Sequence, residues 1–73
     1  MKYLNSDPNI MGGRLVIKGT RIPIEVIFYH ISDGYTLEEI QKKWSYVDYN
    51  TLKRAVQEAA DLLSQNFHAK SFL

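Results

Sequence analysis

Cysteine is absent from this chain of 73 residues, so disulfide bonds are excluded as a source of stability. Domains below about 70–80 residues bury a modest core and commonly rely on disulfides, metals or association. The two histidines, His30 and His68, are too few and too far apart in the chain to indicate a structural metal site. We therefore expect one domain over residues 1–73, without metal or cofactor, supported by self-association or by a partner protein.

Long apolar runs are also missing, since no segment approaches the roughly 18 consecutive residues of a membrane span. Residues 1–13 contain no continuous apolar stretch, which predicts that they are not a signal peptide. Together with the lack of cysteine, this favours a cytoplasmic protein. The net charge is only +1, so any surface for nucleic acid must be local rather than a property of the whole chain.

The side-chain combinations of known catalytic sites are scarce as well. There is no cysteine nucleophile, and His30 and Ser32 stand two positions apart on a predicted helix, so they do not face each other. Adjacent Glu38 and Glu39 are better explained by helix capping and ion pairing than by acid–base catalysis. Residues 12–20 lack the G-x-x-x-x-G-K-S/T pattern of a phosphate loop. The sequence therefore predicts a protein that is not an enzyme and has no catalytic residues.

The N-terminal part of the chain predicts short extended segments rather than a helix. Residues 1–13 carry two turn signals and are expected to form an irregular arm. Two short apolar runs, at residues 14–17 and 21–24, flank a glycine-containing turn, which predicts a short β-hairpin over residues 14–24. Pro23 has no N–H to donate to a strand ladder, so the second strand must be brief or lie at an edge.

Three helices are expected between residues 24 and 65. The first has apolar residues at i, i+3, i+4 and i+7 from Ile24, and Gly34 is placed to end it with a left-handed cap. The second begins with a capping box, in which Thr36 and Glu39 each bond the backbone N–H of the other.

The third helix is the longest periodic segment and is expected over residues 49–65, after Asp48 as its N-cap. The tail at residues 66–73 is unusually apolar for a chain end. Together, these elements predict a mainly α fold: a three-helix bundle with a short N-terminal β-hairpin.

The second and third predicted helices, with the turn between them, follow the order of a helix-turn-helix motif. In that motif the N-terminal part of the second helix enters the major groove and contacts base edges. Arginine and lysine suit guanine or phosphate, whereas asparagine and glutamine suit adenine. Four polar residues at i, i+3, i+4 and i+7 near the start of the third helix share one solvent-facing side: Asn50, Lys53, Arg54 and Gln57.

Other interpretations of these charges remain open. Polar residues at this spacing occur on any solvated helix, and Glu58 and Asp61 follow on the same helix, where they would repel phosphate. Arg14, Lys18 and Arg21 surround the glycine-containing turn and suit phosphates or an acidic partner surface. They equally suit an ordinary exposed turn, where basic side chains keep an edge strand soluble.

Residues 12–24, G-G-R-L-V-I-K-G-T-R-I-P-I, resemble the signature of the domain of unknown function 433 family. Gly34, the T-L-E-E-I run at residues 36–40 and residues 48–59 match the continuation of that signature, so the resemblance covers roughly residues 4–63. Arg14-Leu15 departs mildly from the more usual Lys/Arg-Pro step.

The resemblance implies a homeodomain-like or winged three-helix fold with a short N-terminal hairpin. It also implies a VapB-like antitoxin that binds a PIN-like ribonuclease toxin and represses its own promoter, usually as a homodimer. The family brings no catalytic residues to transfer.

Two hypotheses for function follow. In the first, the protein is an antitoxin-like transcriptional regulator that reads promoter DNA with the third helix and binds its partner through the apolar tail, at Phe67, Phe72 and Leu73. In the second, it is a protein-interaction module that binds a toxin or a second copy without DNA. The near-zero net charge and the acidic second half of the third helix favour the second hypothesis.

Overall fold

The computed structural model describes residues 1–6, 8–9 and 11–66. Within these residues a two-stranded sheet precedes three α-helices, which confirms the mainly α fold with a short N-terminal hairpin. A short 3-10 turn at Met11–Gly13 lies between the strands. The elements are β1 (Leu4–Ser6), β2 (Leu15–Ile17), α1 (Ile24–Ser32), α2 (Leu37–Lys43) and α3 (Tyr49–Asn66).

The strands of the hairpin differ from the expected pair. β1 pairs with β2 in antiparallel register, from Leu4 opposite Ile17 to Ser6 opposite Leu15. An irregular arm over residues 1–13 is therefore the wrong prediction, because its turn signals lie between two paired strands.

The second expected strand, residues 21–24, is reduced to one hydrogen bond and one bridge. The N–H of Ile17 donates to the carbonyl of Ile22 at 3.0 Å, and Val16 bridges Pro23. Pro23 supplies no donor and is also the N-cap of α1, so the ladder cannot continue there.

The core takes a side chain from each of the five elements. Leu4, Ile17, Ile27, Ile40 and Ala55 are all 0–1% exposed. Burying one such isoleucine or leucine contributes about 1.5–3 kcal/mol before the loss of chain entropy is subtracted. Because the net stability of a small domain is only about 5–15 kcal/mol or less, each of these contacts is a large share of it.

The end of α1 and the start of α2 are held by adjacent local motifs. The N–H of Gly34, at a φ of 98°, donates to the carbonyl of Ile31, and the N–H of Tyr35 donates to that of His30, both at 3.0 Å. This is the Schellman arrangement that the position of Gly34 predicts.

The predicted capping box of α2 is formed. The N–H of Thr36 donates to the Glu39 carboxylate at 2.9 Å, and the N–H of Glu39 donates to the Thr36 hydroxyl at 3.2 Å. The backbone and then the side-chain hydrogen bond of Thr36 hold the pKa of Glu39 below its ordinary value. The chain therefore enters α2 directly after leaving α1, in a turn fixed from both sides.

His30 is half-buried and connects α1 to α2. Its Nδ1 donates to the carbonyl of Val26 at 2.8 Å, and its ring lies 5.5 Å from the ring of Trp44 and 5.4 Å from that of Tyr35. These are structural contacts within the junction of the two helices.

A matched pair of isoleucines on α1 tests the position of the core. We expect Ile27→Val to lower the free energy of unfolding by about 0.5–1.5 kcal/mol, since Ile27 is 0% exposed and its lost methyl leaves a cavity. Ile31→Val on the same helix, at a site 38% exposed, should lower it by less than half that amount. Urea denaturation, monitored by circular dichroism, measures the free energy of unfolding of both variants. Equal losses of stability would contradict this assignment of the core.

Candidate nucleic-acid interface

The α2–α3 pair is connected by a short, well-anchored turn at residues 44–48. Val47 is 6% exposed, and its carbonyl accepts a hydrogen bond from the side-chain amide of Gln41 at 3.0 Å. The N–H of Val47 donates to the carbonyl of Trp44 at 2.9 Å. The turn is thus bonded both to itself and to α2, which gives the pair the helix-turn-helix order that the sequence predicts.

Asp48 caps the start of α3 as predicted. Its carboxylate accepts the N–H of Thr51 at 3.0 Å and the hydroxyl of Thr51 at 2.8 Å. The hydrogen bond from the Thr51 side chain, followed by that from its backbone, lowers the pKa of Asp48. The Asp48 charge is therefore directed at the helix start, and the first turn of α3 contains no acidic residue.

The four polar residues predicted to read DNA are all exposed on α3. Leu52, Ala55 and Ala59 face the core from the other side of the same helix, at 3%, 0% and 5% exposure. The structure therefore leaves one continuous polar side on the first half of α3, and contact with bases stays a prediction. The residues of this surface, called here the α3 polar face, are Asn50, Lys53, Arg54 and Gln57.

Glu58 has a role that sequence reasoning missed. Its Oε2 accepts the backbone N–H groups of Lys2 at 3.1 Å and of Tyr3 at 2.9 Å. The sequence placed Glu58 only as a charge that repels phosphate. Its partners are backbone groups 56 and 55 positions away, so no local spacing signals the contact.

The carboxyl group of Glu58 is ionised more readily than that of a free glutamate. Burial by itself raises its pKa, but the N–H donors of Tyr3, Lys2 and Leu4 outweigh burial and lower the pKa overall. Among the residues that the structure describes, its second oxygen, Oε1, is buried and has no hydrogen-bond partner. The bonds to the backbone of Lys2 and Tyr3 are therefore strongest while Glu58 is charged.

The three N-terminal cations do not form a single cluster. Arg14 Nη1 lies 2.9 Å from the Glu25 carboxylate in a solvent-exposed ion pair, whereas Lys18 Nζ donates to the carbonyl of Met1 at 3.0 Å. Arg14 and Lys18 flank opposite ends of β2, about 13 Å apart at roughly 3.3 Å per residue. Arg21 is exposed in the segment before α1. The structure thus neutralises Arg14 and brings Lys18 to the N-terminal residues.

The N-terminal residues also border the α3 polar face. Lys2 and Tyr3 line a shallow depression of about 210 Å³ together with Arg54 and Gln57, and Glu58 and Asp61 complete its lining. Lys18 and part of the α3 polar face, far apart in sequence, therefore approach the same short segment of chain.

An apolar groove of about 370 Å³ lies between β2, α1 and α3. Leu63, which is 55% exposed, forms part of its wall. The predicted partner-binding residues Phe67, Phe72 and Leu73 lie outside the described residues, so their contact with a partner stays a prediction. Its lining residues are Leu15, Ile24, Glu25, Phe28, Ala59, Leu62 and Leu63.

The described part of the chain offers neither a metal site nor a membrane-spanning helix. Across residues 1–6, 8–9 and 11–66, no three His, Asp or Glu side chains lie together as ligands for a metal ion. In the same residues, no helix has both the length and the apolar character needed to cross a membrane.

The fold and this surface define a small, mainly α protein with a capped helix pair behind an N-terminal hairpin. The chain belongs to the family described as protein of unknown function (DUF433), whose match spans residues 4–59. The uncharacterized protein y4eO of Sinorhizobium fredii (strain NBRC 101917 / NGR234) is 29% identical over 54 residues, which are 74% of this chain and 24% of that protein. The chain thus spans about a quarter of the length of this relative. No solved structure gives a significant match.

The contact between Glu58 and the backbone just before β1 predicts a dependence of stability on pH. A lowered folded-state pKa stabilises the fold at pH values above about 4.5, the ordinary glutamate value, and this stabilisation is lost as pH falls through the folded-state pKa. Glu58→Gln should therefore be less stable than the wild type at pH 7, by about 1 kcal/mol, and the difference should shrink toward pH 3.

Glu38→Gln, at an exposed carboxylate on α2, is the matched control. It should change the free energy of unfolding by less than about 0.5 kcal/mol at each pH. Urea unfolding at pH 7, 5 and 3 measures the free energy of unfolding of the wild type and both variants. A Glu58→Gln effect of equal size at every pH would show that the charge of Glu58 does not stabilise its contact with Lys2 and Tyr3.

Proposed function

We propose that this protein is a VapB-like antitoxin, a DNA-binding regulator that neutralises a PIN-like ribonuclease toxin and represses its own promoter. The observation that carries the proposal is the α3 polar face, presented at the start of a capped helix that follows a bonded turn. The toxin–antitoxin role comes from the family resemblance.

Base reading would be confined to the first half of α3. Lys53 and Arg54 suit guanine edges or phosphates, whereas Asn50 and Gln57 suit adenine edges. Asp61 continues the same stripe of the helix at i+4 from Gln57, and its charge opposes a phosphate. The contact therefore ends where the acidic half of α3 begins.

The small net charge determines how DNA binding would depend on salt concentration. With a net charge of +1, affinity must come from a few local cations, so the slope of log affinity against log salt should be modest, at about 0.9 for each phosphate contacted. A homodimer would place two copies of α3 on half-sites one helical turn of DNA apart and double the number of contacts.

Toxin binding and DNA binding would use different sides of α3. At 3.6 residues per turn, the groove residues Ala59, Leu62 and Leu63 point away from the α3 polar face, to the opposite side of the helix. An antitoxin must hold its toxin while it contacts the promoter, and this separation leaves room for both partners.

A second candidate function is a protein-interaction module that binds the toxin without DNA. The apolar groove favours it, because apolar surface lined by Phe28, Leu62 and Leu63 is costly to leave in water. In this alternative the α3 polar face is only a solvated helix side.

A gel shift with a duplex from the promoter region upstream of the gene tests DNA binding. We expect the wild-type protein to retard this duplex at low salt, and the Lys53→Ala/Arg54→Ala variant to bind at least tenfold more weakly because two cations leave the α3 polar face. Lys42→Ala/Lys43→Ala removes the same charge from α2 and should weaken binding less. Equal affinity of the Lys53/Arg54 variant and the wild type would contradict the assignment of α3.

Co-purification with the product of the neighbouring gene tests the partner. We expect a PIN-like nuclease there to elute with the protein in one complex, and Leu63→Glu to weaken that complex because it places a charge in the apolar groove. Lys53→Ala/Arg54→Ala should leave the complex intact. A stable complex without any retardation of promoter DNA would select the second candidate function.

A further inference from the structure

The N-terminal segment, residues 1–3, precedes β1, and α3 holds its backbone. The carbonyl of Tyr3 still accepts the N–H of Lys18 at 2.9 Å, as in the strand ladder. The N–H groups of Tyr3 and Lys2 turn to the Glu58 carboxylate. Residues 2 and 3 are therefore positioned by a side chain of the same helix that carries the α3 polar face.

This arrangement brings cations from three separate parts of the sequence to the N-terminal segment. Lys2 lines the depression that also contains Arg54, and Lys18 donates to the carbonyl of Met1. All three cationic side chains are exposed to solvent. We call this group the N-terminal cation cluster: Lys2, Lys18 and Arg54.

The acidic groups beside the cluster do not cancel it. Glu58 directs its charge at two backbone N–H groups, so its negative charge is already partly compensated. Asp61 lies a turn beyond Gln57, toward the C-terminal end of α3. On the side toward the start of α3, the α3 polar face contains no acidic side chain.

We propose that the N-terminal cation cluster binds a DNA phosphate next to the α3 polar face, and that Glu58 is the positioning residue that holds Lys2 in the cluster. The inference rests on the proposed DNA binding and adds to it. Cations on an arm beside a recognition helix contact the backbone and fix the register of that helix on the duplex. Lys2 lies outside the helix-turn-helix, and Glu58 lies on α3 but is not part of the α3 polar face, so the motif pattern selects neither residue.

Fluorescence anisotropy with a labelled duplex from the promoter region, titrated at several salt concentrations, tests the cluster. Lys2→Ala should weaken binding several-fold and reduce the slope of log affinity against log salt by about 0.9, the value for one lost phosphate contact. Lys2→Arg should restore both. Lys42→Ala removes an equal charge from α2 and should leave the slope unchanged.

Glu58→Gln distinguishes positioning from simple electrostatics through the sign of its effect. Removing a negative charge near DNA should tighten binding if charge alone matters. We expect weaker binding, by several-fold at pH 7, because Lys2 is no longer held beside Arg54. Circular dichroism at the assay temperature confirms that each variant is folded.

The outcomes separate this inference from the proposed function. If the wild-type protein binds no promoter DNA at low salt, the proposed function is overturned, and the inference with it. If the wild type binds but Lys2→Ala keeps its affinity and salt slope, the inference alone is overturned. Tighter binding by Glu58→Gln would overturn the positioning role.

Discussion

The attachment of β1 to both β2 and α3 is the interaction on which the rest of this small fold depends. Leu4 enters the core at 1% exposure opposite Ile17, and Glu58 binds the backbone that precedes it. A chain of 73 residues without disulfides buries only a modest core, so every element must help to exclude water. Because β1 covers one side of the core, the three helices need to cover only the remainder.

Interactions between residues a few positions apart determine where α2 and α3 begin, and the tertiary contacts then determine the orientation of α3. Gly34 ends α1, Thr36 and Glu39 start α2, and Asp48 starts α3. These motifs leave little freedom in the turns, so packing of a few apolar side chains determines how α2 and α3 lie. The consequence for function is a helix whose first two turns present polar side chains to solvent while its other side is buried.

The charged side chains lie in the structure differently from what their order in the sequence indicates. The sequence grouped Arg14, Lys18 and Arg21 around one turn, but the structure pairs Arg14 with Glu25 and directs Lys18 to the N-terminal segment. The sequence indicates that Glu58 opposes DNA, whereas in the structure its charge holds the backbone that precedes β1. Charge placement in a protein with a net charge of +1 is thus a property of the folded surface, and counting residues along the sequence does not recover it.

The sequence by itself determined the helix bounds, the caps and the exposed side of α3, because these depend on residues three or four positions apart. It could not determine which segment pairs with β2, since Leu4 competes with the run before Pro23 and only packing in the core decides between them. Nor does the sequence predict the contact of Glu58. Its partners lie 55 and 56 positions away, and they are backbone N–H groups, which every residue except proline has. The tertiary structure decided both, because long-range pairing depends on where the whole core places the chain.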